Sequence, residues 1–319
     1  MPILSIRHLT RYRYRRPVAF GEHRMMFRPR ESYDQRVLSS DVVITPRPVQ
    51  LRYVQDVFGN CVGIASFGGG RADELNFESR VRLDHIPSPA FLDSDGDVEA
   101  SLGAAPFAYG ADDLPDLQLS MQRLYPDPEG ALERWARRFV RPLGRTPVRR
   151  LLTEMTGAIH AEFAYRSRLE GEARLPSETL RLREGSCRDF ALLMIEAVRS
   201  LGLAARFVSG YVHTPSRAPG RSDTQRPSEE GGSGHTHAWV RVYLPACGWV
   251  EFDPTNGIVG NTNLIRVAIA RDPRQAVPLH GSFKGFASDC LSMDVEVSVD
   301  SEDGRIAATS PKRRAAAAA

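Results

Sequence analysis

The stretch Glu184-Gly185-Ser186-Cys187-Arg188-Asp189-Phe190-Ala191-Leu192-Leu193-Met194 decides the fold of this chain. From it onward, apolar residues recur three and four positions apart, which predicts a helix with one buried face. They are Phe190, Leu193, Met194, Ala197, Val198 and Leu201. Gly202 follows, as glycine often does after a helix end. Cys187 therefore lies in or next to the first turn, where unpaired N–H groups and the helix dipole favour a thiolate. The alternative is a small buried residue at the start of a core helix, the usual role of a lone cysteine.

A second informative region lies about fifty residues downstream, where two segments alternate between apolar and polar residues. The segments are 237–244 and 249–253, and Pro245-Ala246-Cys247-Gly248 between them has the composition of a turn, so a β-hairpin is predicted. Its apolar side comprises Ala238, Val240, Val242, Leu244, Val250 and Phe252. If that side faces one core, His237 and Asp253 must share the opposite face of the hairpin.

A thiol, an imidazole and a carboxylate are the parts of a nucleophile, base and orienting group. The thiolate of Cys187 would attack a carbonyl, His237 would hold the thiolate and protonate the leaving amine, and Asp253 would fix the histidine tautomer. The backbone N–H of Cys187 is a natural oxyanion donor, and the pattern identifies no second one. His235 lies two residues earlier and would share the strand face of His237, so it is an alternative candidate for the base. We prefer His237 because it begins the regular strand directly.

Composition excludes several classes of protein. The chain has 319 residues, enough for two domains, and its 42% hydrophobic content suits a globular protein. A formal net charge of +3 is too small to indicate a nucleic-acid or membrane partner. The four cysteines lie far apart without zinc-like spacing, and His235 and His237 have no third ligand nearby, so we expect no metal and no cofactor. With no secretory or membrane-spanning pattern in view, we expect a cytoplasmic protein with reduced thiols.

The rest of the chain indicates two domains. Residues 1–90 contain short alternating segments between turns and predict an all-β, sandwich-like domain. Residues 91–128 are rich in Pro, Asp, Gly and Ala and predict a linker. Residues 129–300 form the core, with helices predicted at 129–139 and 147–163, a buried strand at 204–212, a mobile loop at 213–235 and a closing strand at 291–299. Residues 301–319 predict a disordered tail.

Several blocks of sequence together resemble the bacterial transglutaminase-like superfamily. In the core these are Gly185–Ala191, Ala205–Tyr211, His237–Val240 and Gly248–Gly257. In the N-terminal region they are Tyr12-Arg13-Tyr14, Pro17-Val18, Phe27–Arg30, Gln35 and Asp56–Asn60. The resemblance covers roughly residues 3–300. It implies an α+β protein in which an N-terminal β-sandwich-like domain precedes a papain-like core of helices packed on an antiparallel sheet.

The resemblance also implies a function and a site, with Cys187, His237 and Asp253 as catalytic residues and a protein or peptide as substrate. The reaction expected first is hydrolysis of an amide bond through a Cys187 thioester. One alternative is acyl transfer to an amine, as in a true transglutaminase, and another is a non-catalytic binding module on the same fold. The chain departs from the family at Ala270-Arg271-Asp272-Pro273, where the family usually has Gly-Arg-Asp-Tyr. Oligomeric state is not specified by these patterns.

Overall fold

A computed structural model describes residues 3–87, 101–102, 107–168, 171–213, 233–234, 236–245 and 247–302. The helices are α1 (Leu114–Met121), α2 (Ala131–Arg137), α3 (Val148–Glu162), α4 (Pro176–Leu182) and α5 (Cys187–Ser200). The N-terminal strands are β1 (Ile3–Met25), β2 (Gln35–Thr45), β3 (Gln50–Gln55), β4 (Cys61–Ser66) and β5 (Arg71–His85). The short strands among the helices are β6 (Ser101–Leu102), β7 (Thr146–Pro147), β8 (Ala164–Tyr165) and β9 (Glu184–Gly185). The remaining strands are β10 (Ala205–Val212), β11 (Ser233–Gly234), β12 (His237–Leu244), β13 (Gly248–Asp253), β14 (Ile258–Val259), β15 (Leu264–Ala270), β16 (Leu279–Lys284) and β17 (Cys290–Ser301).

The N-terminal region is one eight-stranded antiparallel sheet that curls around the long strand β1. The first half of β1 pairs with β5 and β17, while its last seven residues pair with β16 and, at the end, β4. Aromatic and aliphatic side chains from both halves meet inside the curl, among them Tyr14, Phe20, Phe27 and Phe77. The predicted sandwich-like layering therefore comes from a single sheet folded back on itself.

The second sheet has five strands in the order β14-β13-β12-β10-β15, and helix α5 packs on one of its faces. Eleven of the fourteen residues of α5 are buried, which makes it the central helix of the core. The apolar sides of β12 and β13 face that same core, as the parity argument predicted. Leu201 and the positive-φ residue Gly202 end the helix where the sequence placed its end.

The α+β class and the main core elements agree with the predictions from sequence, and three features differ. Residues 107–128 were assigned to a linker, yet α1 forms there and buries Leu117, while Tyr109 packs into the core. The short helix α4 was not predicted. Strands β16 and β17 pair with β1, although both lie in the segment 129–300 assigned to the core. That pairing joins residues nearly three hundred positions apart, which no local period can indicate.

The two sheets meet along strand β15, and the contacts come from N-terminal residues. The side-chain amide of Gln35 donates to the carbonyl of Arg266 at 2.7 Å, and its oxygen accepts from the N–H of Arg266 at 3.0 Å. The Asn60 amide likewise donates to the carbonyl of Ile269 at 2.8 Å, and its oxygen accepts from the N–H of Ile269 at 2.9 Å. The Arg266 guanidinium is buried against the carboxylates of Asp34 and Glu251. The N-terminal domain is thus hydrogen-bonded along one edge of the core sheet.

Some predictions fall outside the described residues: most of the 213–235 loop, including His235, and the tail from residue 303. The backbone of β11 is described and pairs with β17. Within the described part of the chain, no helix is both long and apolar enough to cross a membrane.

Candidate active site

The site is built first on the N-terminus of α5. Ser186 is the N-cap residue, and its backbone N–H and hydroxyl both donate to one carboxylate oxygen of Asp189, at 2.8 and 2.9 Å. A residue at this third helical position that bonds back to the cap forms a capping box. It fixes where the helix begins, so Cys187 is held as the first helical residue. The first-turn N–H groups there have no partner within the helix, which leaves them suited to an oxyanion.

The other oxygen of Asp189 anchors the segment that precedes α4. It accepts from the Arg168 guanidinium and from the N–H of Arg174, each at 2.7 Å. Asp189 itself is only 1% exposed, so these four bonds satisfy a fully buried carboxylate. Gly185 allows this approach, because a Cβ there would lie 2.8 Å from the Asp189 Cβ. The residues around Cys187 are therefore held by one buried carboxylate.

His237 begins strand β12 and lies between a thiol and a carboxylate. Its Nε2 is 2.8 Å from the Asp253 carboxylate oxygen, on the shared hairpin face that parity predicted. The sulfur of Cys187 lies close enough to the ring to raise the pKa of His237. The structure thus brings the thiol of Cys187, the imidazole of His237 and the carboxylate of Asp253 close together.

The charges around His237, in the row formed by Cys187, His237 and Asp253, favour a protonated imidazole. Burial disfavours the imidazolium, but the carboxylate of Asp253 and the sulfur of Cys187 outweigh it and raise the pKa of His237 to about 10. Burial also opposes ionisation of Asp253, which is fully enclosed, yet the His237 charge and hydrogen bonds from Asn256 hold the pKa of Asp253 below its ordinary value. Both shifts point the same way, toward an imidazolium–carboxylate pair.

Asn256 is a site residue that the sequence did not reveal. Its side-chain amide donates to the same Asp253 oxygen that His237 contacts, at 2.7 Å, and lies 3.3 Å from His237 Nε2. The backbone N–H groups of Thr255 and Asn256 donate to the other carboxylate oxygen at 2.9 and 3.3 Å. The turn after Pro254 therefore folds around the carboxylate. No sequence pattern indicates where the side chains of this turn point. In contrast, the spacing Ser186-x-x-Asp189 is typical of a capping box and could have predicted that Asp189 binds back to Ser186.

Trp239 supports the histidine from the same face of β12. The two rings stack at 6.1 Å with an interplanar angle of 24°, and Trp239 is fully buried. Gly210 on the neighbouring strand makes room for it, since a Cβ there would lie 2.6 Å from the indole and 2.1 Å from the carbonyl oxygen of Ile265. Among the described residues, no group of three or more His, Cys, Asp or Glu side chains could hold a metal ion. None of the four cysteines, all of which are described, forms a disulfide.

The fold and the site define a class of protein: an α+β chain with a cysteine at a central helix start facing histidine and aspartate on an antiparallel sheet. Residues 4–84 match the model of the bacterial transglutaminase-like N-terminal region, and residues 136–254 match that of the transglutaminase-like superfamily. The chain belongs to the transglutaminase-like superfamily and carries the bacterial N-terminal region in front of the core.

Similar proteins span nearly the whole chain. Uncharacterized proteins of Mycobacterium tuberculosis (strain H37Rv) and Mycobacterium bovis are each 29% identical over 301 residues, covering 92% of this chain and 91% of theirs. A crystal structure from Cytophaga hutchinsonii, described as a "Putative Cysteine Protease", superposes with a TM-score of 0.61 at 18% identity. The superposition covers 94% of this chain and 91% of the Cytophaga hutchinsonii chain, so both domains share the fold of that protein.

Proposed function

We propose that this protein is a cysteine-dependent amide hydrolase that acts on a protein or peptide through a thioester at Cys187. One observation carries the proposal: His237 hydrogen-bonds the buried carboxylate of Asp253 at 2.8 Å, and the sulfur of Cys187, at the start of α5, is near enough to raise the pKa of the same ring. The family membership and the shared fold of the Cytophaga hutchinsonii protein support a cysteine-dependent enzyme.

The first half of the reaction follows from the row of three groups. The Cys187 sulfur attacks the amide carbon while the adjacent helix N–H groups receive the developing oxyanion. The C–N bond breaks, the leaving nitrogen takes the proton of the His237 imidazolium, and a thioester remains on Cys187. Asp253 holds the ring in place and stabilises its charged form before the proton leaves.

The second half needs an acceptor for the acyl group. With water, neutral His237 removes a proton as the oxygen attacks, and the products are a carboxylic acid and the restored thiol. An amine acceptor would give a new amide and make the protein an acyl transferase. Adding monodansylcadaverine during turnover separates the two reactions. Release of acid without dansyl incorporation supports hydrolysis, and dansyl-labelled product would replace it with transfer.

The first experiment needs no substrate. Iodoacetamide labelling of each cysteine is followed by peptide mass spectrometry on native protein between about pH 5 and 9. We expect Cys187 to label at pH 6 far faster than Cys61, Cys247 and Cys290, and to lose that advantage in His237→Ala. Equal rates at all four cysteines would contradict the proposal and favour a binding module. For any substrate then found, Cys187→Ala should lower turnover at least about 10⁴-fold, with exposed Cys247→Ala as the control.

A further inference from the structure

The N-terminal sheet has an open seam between two strands that follow each other in the chain. β2 and β3 are separated only by residues 46–49, and consecutive strands usually pair. Within the described residues, however, β2 pairs only with β5 and β3 only with β4. The path β2-β5-β1-β4-β3 therefore ends in two strands that are not paired with each other.

A cavity of about 280 Å³ lies at this seam, near the small end of the range for ligand pockets. Its walls include the partly buried Val42 on β2 and Cys61 on β4 and the half-exposed Tyr53 on β3. Met25, Gly63 and Tyr53 form one row across three paired strands, and a Cβ on Gly63 would lie 2.9 Å from Met25 and 3.1 Å from Tyr53. The wall is thus mostly apolar and already closely packed around the empty space.

Arg28 is the charged side chain among the described residues that line the cavity. Ser40 lines the cavity as well. Burial raises the pKa of both the Cys61 thiol and the Tyr53 phenol, and the Arg28 charge opposes both rises, which places its guanidinium near these two groups. Its ion pair with Glu31 is long, at 3.6 Å, and both side chains are partly exposed, so that partner neutralises it weakly.

We propose that this seam cavity binds a small amphipathic carboxylate, with the apolar body between β2 and β4 and the carboxylate on Arg28. An aliphatic or aromatic body of this kind removes the apolar lining from water. A guanidinium recognises the planar carboxylate through a charge-assisted hydrogen bond, and the Ser40 hydroxyl offers a second donor. The site is separate from the Cys187 row and does not depend on the proposed reaction.

Cys61 gives a direct readout, because a ligand in the cavity would shield its sulfur. Alkylation by N-ethylmaleimide at about pH 8.5 is measured on the full chain with 4-phenylbutyrate, octanoate or indole-3-acetate, and exposed Cys247 serves as the internal control. We expect saturable protection of Cys61 alone by at least one of these carboxylates. The neutral 4-phenylbutyramide should protect at least about ten-fold more weakly than 4-phenylbutyrate.

Two variants and one control test whether protection of Cys61 comes from binding in the cavity. Val42→Trp fills the cavity and should abolish protection, whereas Val43→Trp, on the exposed side of the same strand, should preserve it. Arg28→Gln changes a partly exposed side chain without filling the cavity, and should weaken protection about ten-fold or more. No protection by any carboxylate at about 10 mM would overturn the proposal. So would equal protection by the amide, or protection that survives both Val42→Trp and Arg28→Gln.

Discussion

Replacing Asp253 with asparagine preserves the size of the side chain and removes the charge that holds the His237 imidazolium. The pKa of His237 is about 10 in the fold against 6.5 ordinarily, and each pKa unit corresponds to about 1.4 kcal/mol. The difference amounts to roughly 5 kcal/mol of stability. Because this pKa is raised, that stability is fully present below pH 6.5 and is lost as the pH rises through about 10.

An adjacent opposite charge shifts a pKa by about 1–3 units, so Asp253→Asn should lower the pKa of His237 by that amount. The free energies of unfolding of the wild type and the variant should therefore differ more at pH 6 than at pH 10, by about 1–4 kcal/mol. Asp253 is ionised throughout this range, and groups common to both proteins cancel in the difference.

Urea unfolding at five pH values between 6 and 10 measures this difference. Glu154→Gln serves as the control because it neutralises an exposed carboxylate that pairs with Arg150 on the surface of α3. The free energy of unfolding of this control should differ little from that of the wild type, and the difference should not change with pH. If the difference for Asp253→Asn is equally flat, His237 and Asp253 are not coupled charges, and the electrostatic account of the site is refuted.

Three other substitutions test the surroundings of the site. Asn256→Ala removes a hydrogen-bond donor from the Asp253 carboxylate and raises its pKa, so the acid limb of the pH profile for Cys187 alkylation should move up by as much as about one pH unit. Gly210→Ala should cost at least about 1–3 kcal/mol in urea unfolding, because its Cβ would lie 2.1 Å from a carbonyl oxygen of β15. The matched Gly157→Ala has open space and should stabilise by about 0.5–1 kcal/mol. Asp34→Ala leaves the buried Arg266 guanidinium without its main carboxylate partner and should cost about 3–5 kcal/mol, much of it recovered when Arg266→Met is added.

The arrangement of the candidate site could be predicted where it depends on period and parity. A strand has only two faces, so the apolar side of the hairpin forced His237 and Asp253 onto the same surface. Helical spacing likewise placed the start of α5 at Cys187. Asn256 could not be found in this way, because it lies in a turn where no repeat fixes the direction of a side chain. Arg168 reaches Asp189 across twenty-one positions, a distance over which the chain path, rather than the local pattern, decides contact.

The same distinction explains the N-terminal domain. The sequence predicted short strands in this domain, whereas β1 has 23 residues and β5 has 15, and the curl depends on how β1 divides its partners between its two halves. The pairing of β17 with β1 depends on the completed fold as well. The segments 10–15 and 291–299 both alternate, and nothing local shows that they are neighbours.

The contacts along β15 give a physical role to the N-terminal motif residues Gln35 and Asn60. β15 is an edge strand of the core sheet, and an unpaired strand edge exposes a row of N–H and C=O groups. The two side-chain amides bond the backbone of Arg266 and Ile269 in place of another strand. β15 in turn pairs with β10, and β10 with the strand that begins at His237. Deleting residues 1–90 would therefore uncover an edge only two strands from His237, so the truncation would disturb the core sheet as well as remove the domain. Whether the domain also orients substrate toward Cys187 is better tested on the full chain, with substitutions at exposed positions that leave both amides in place.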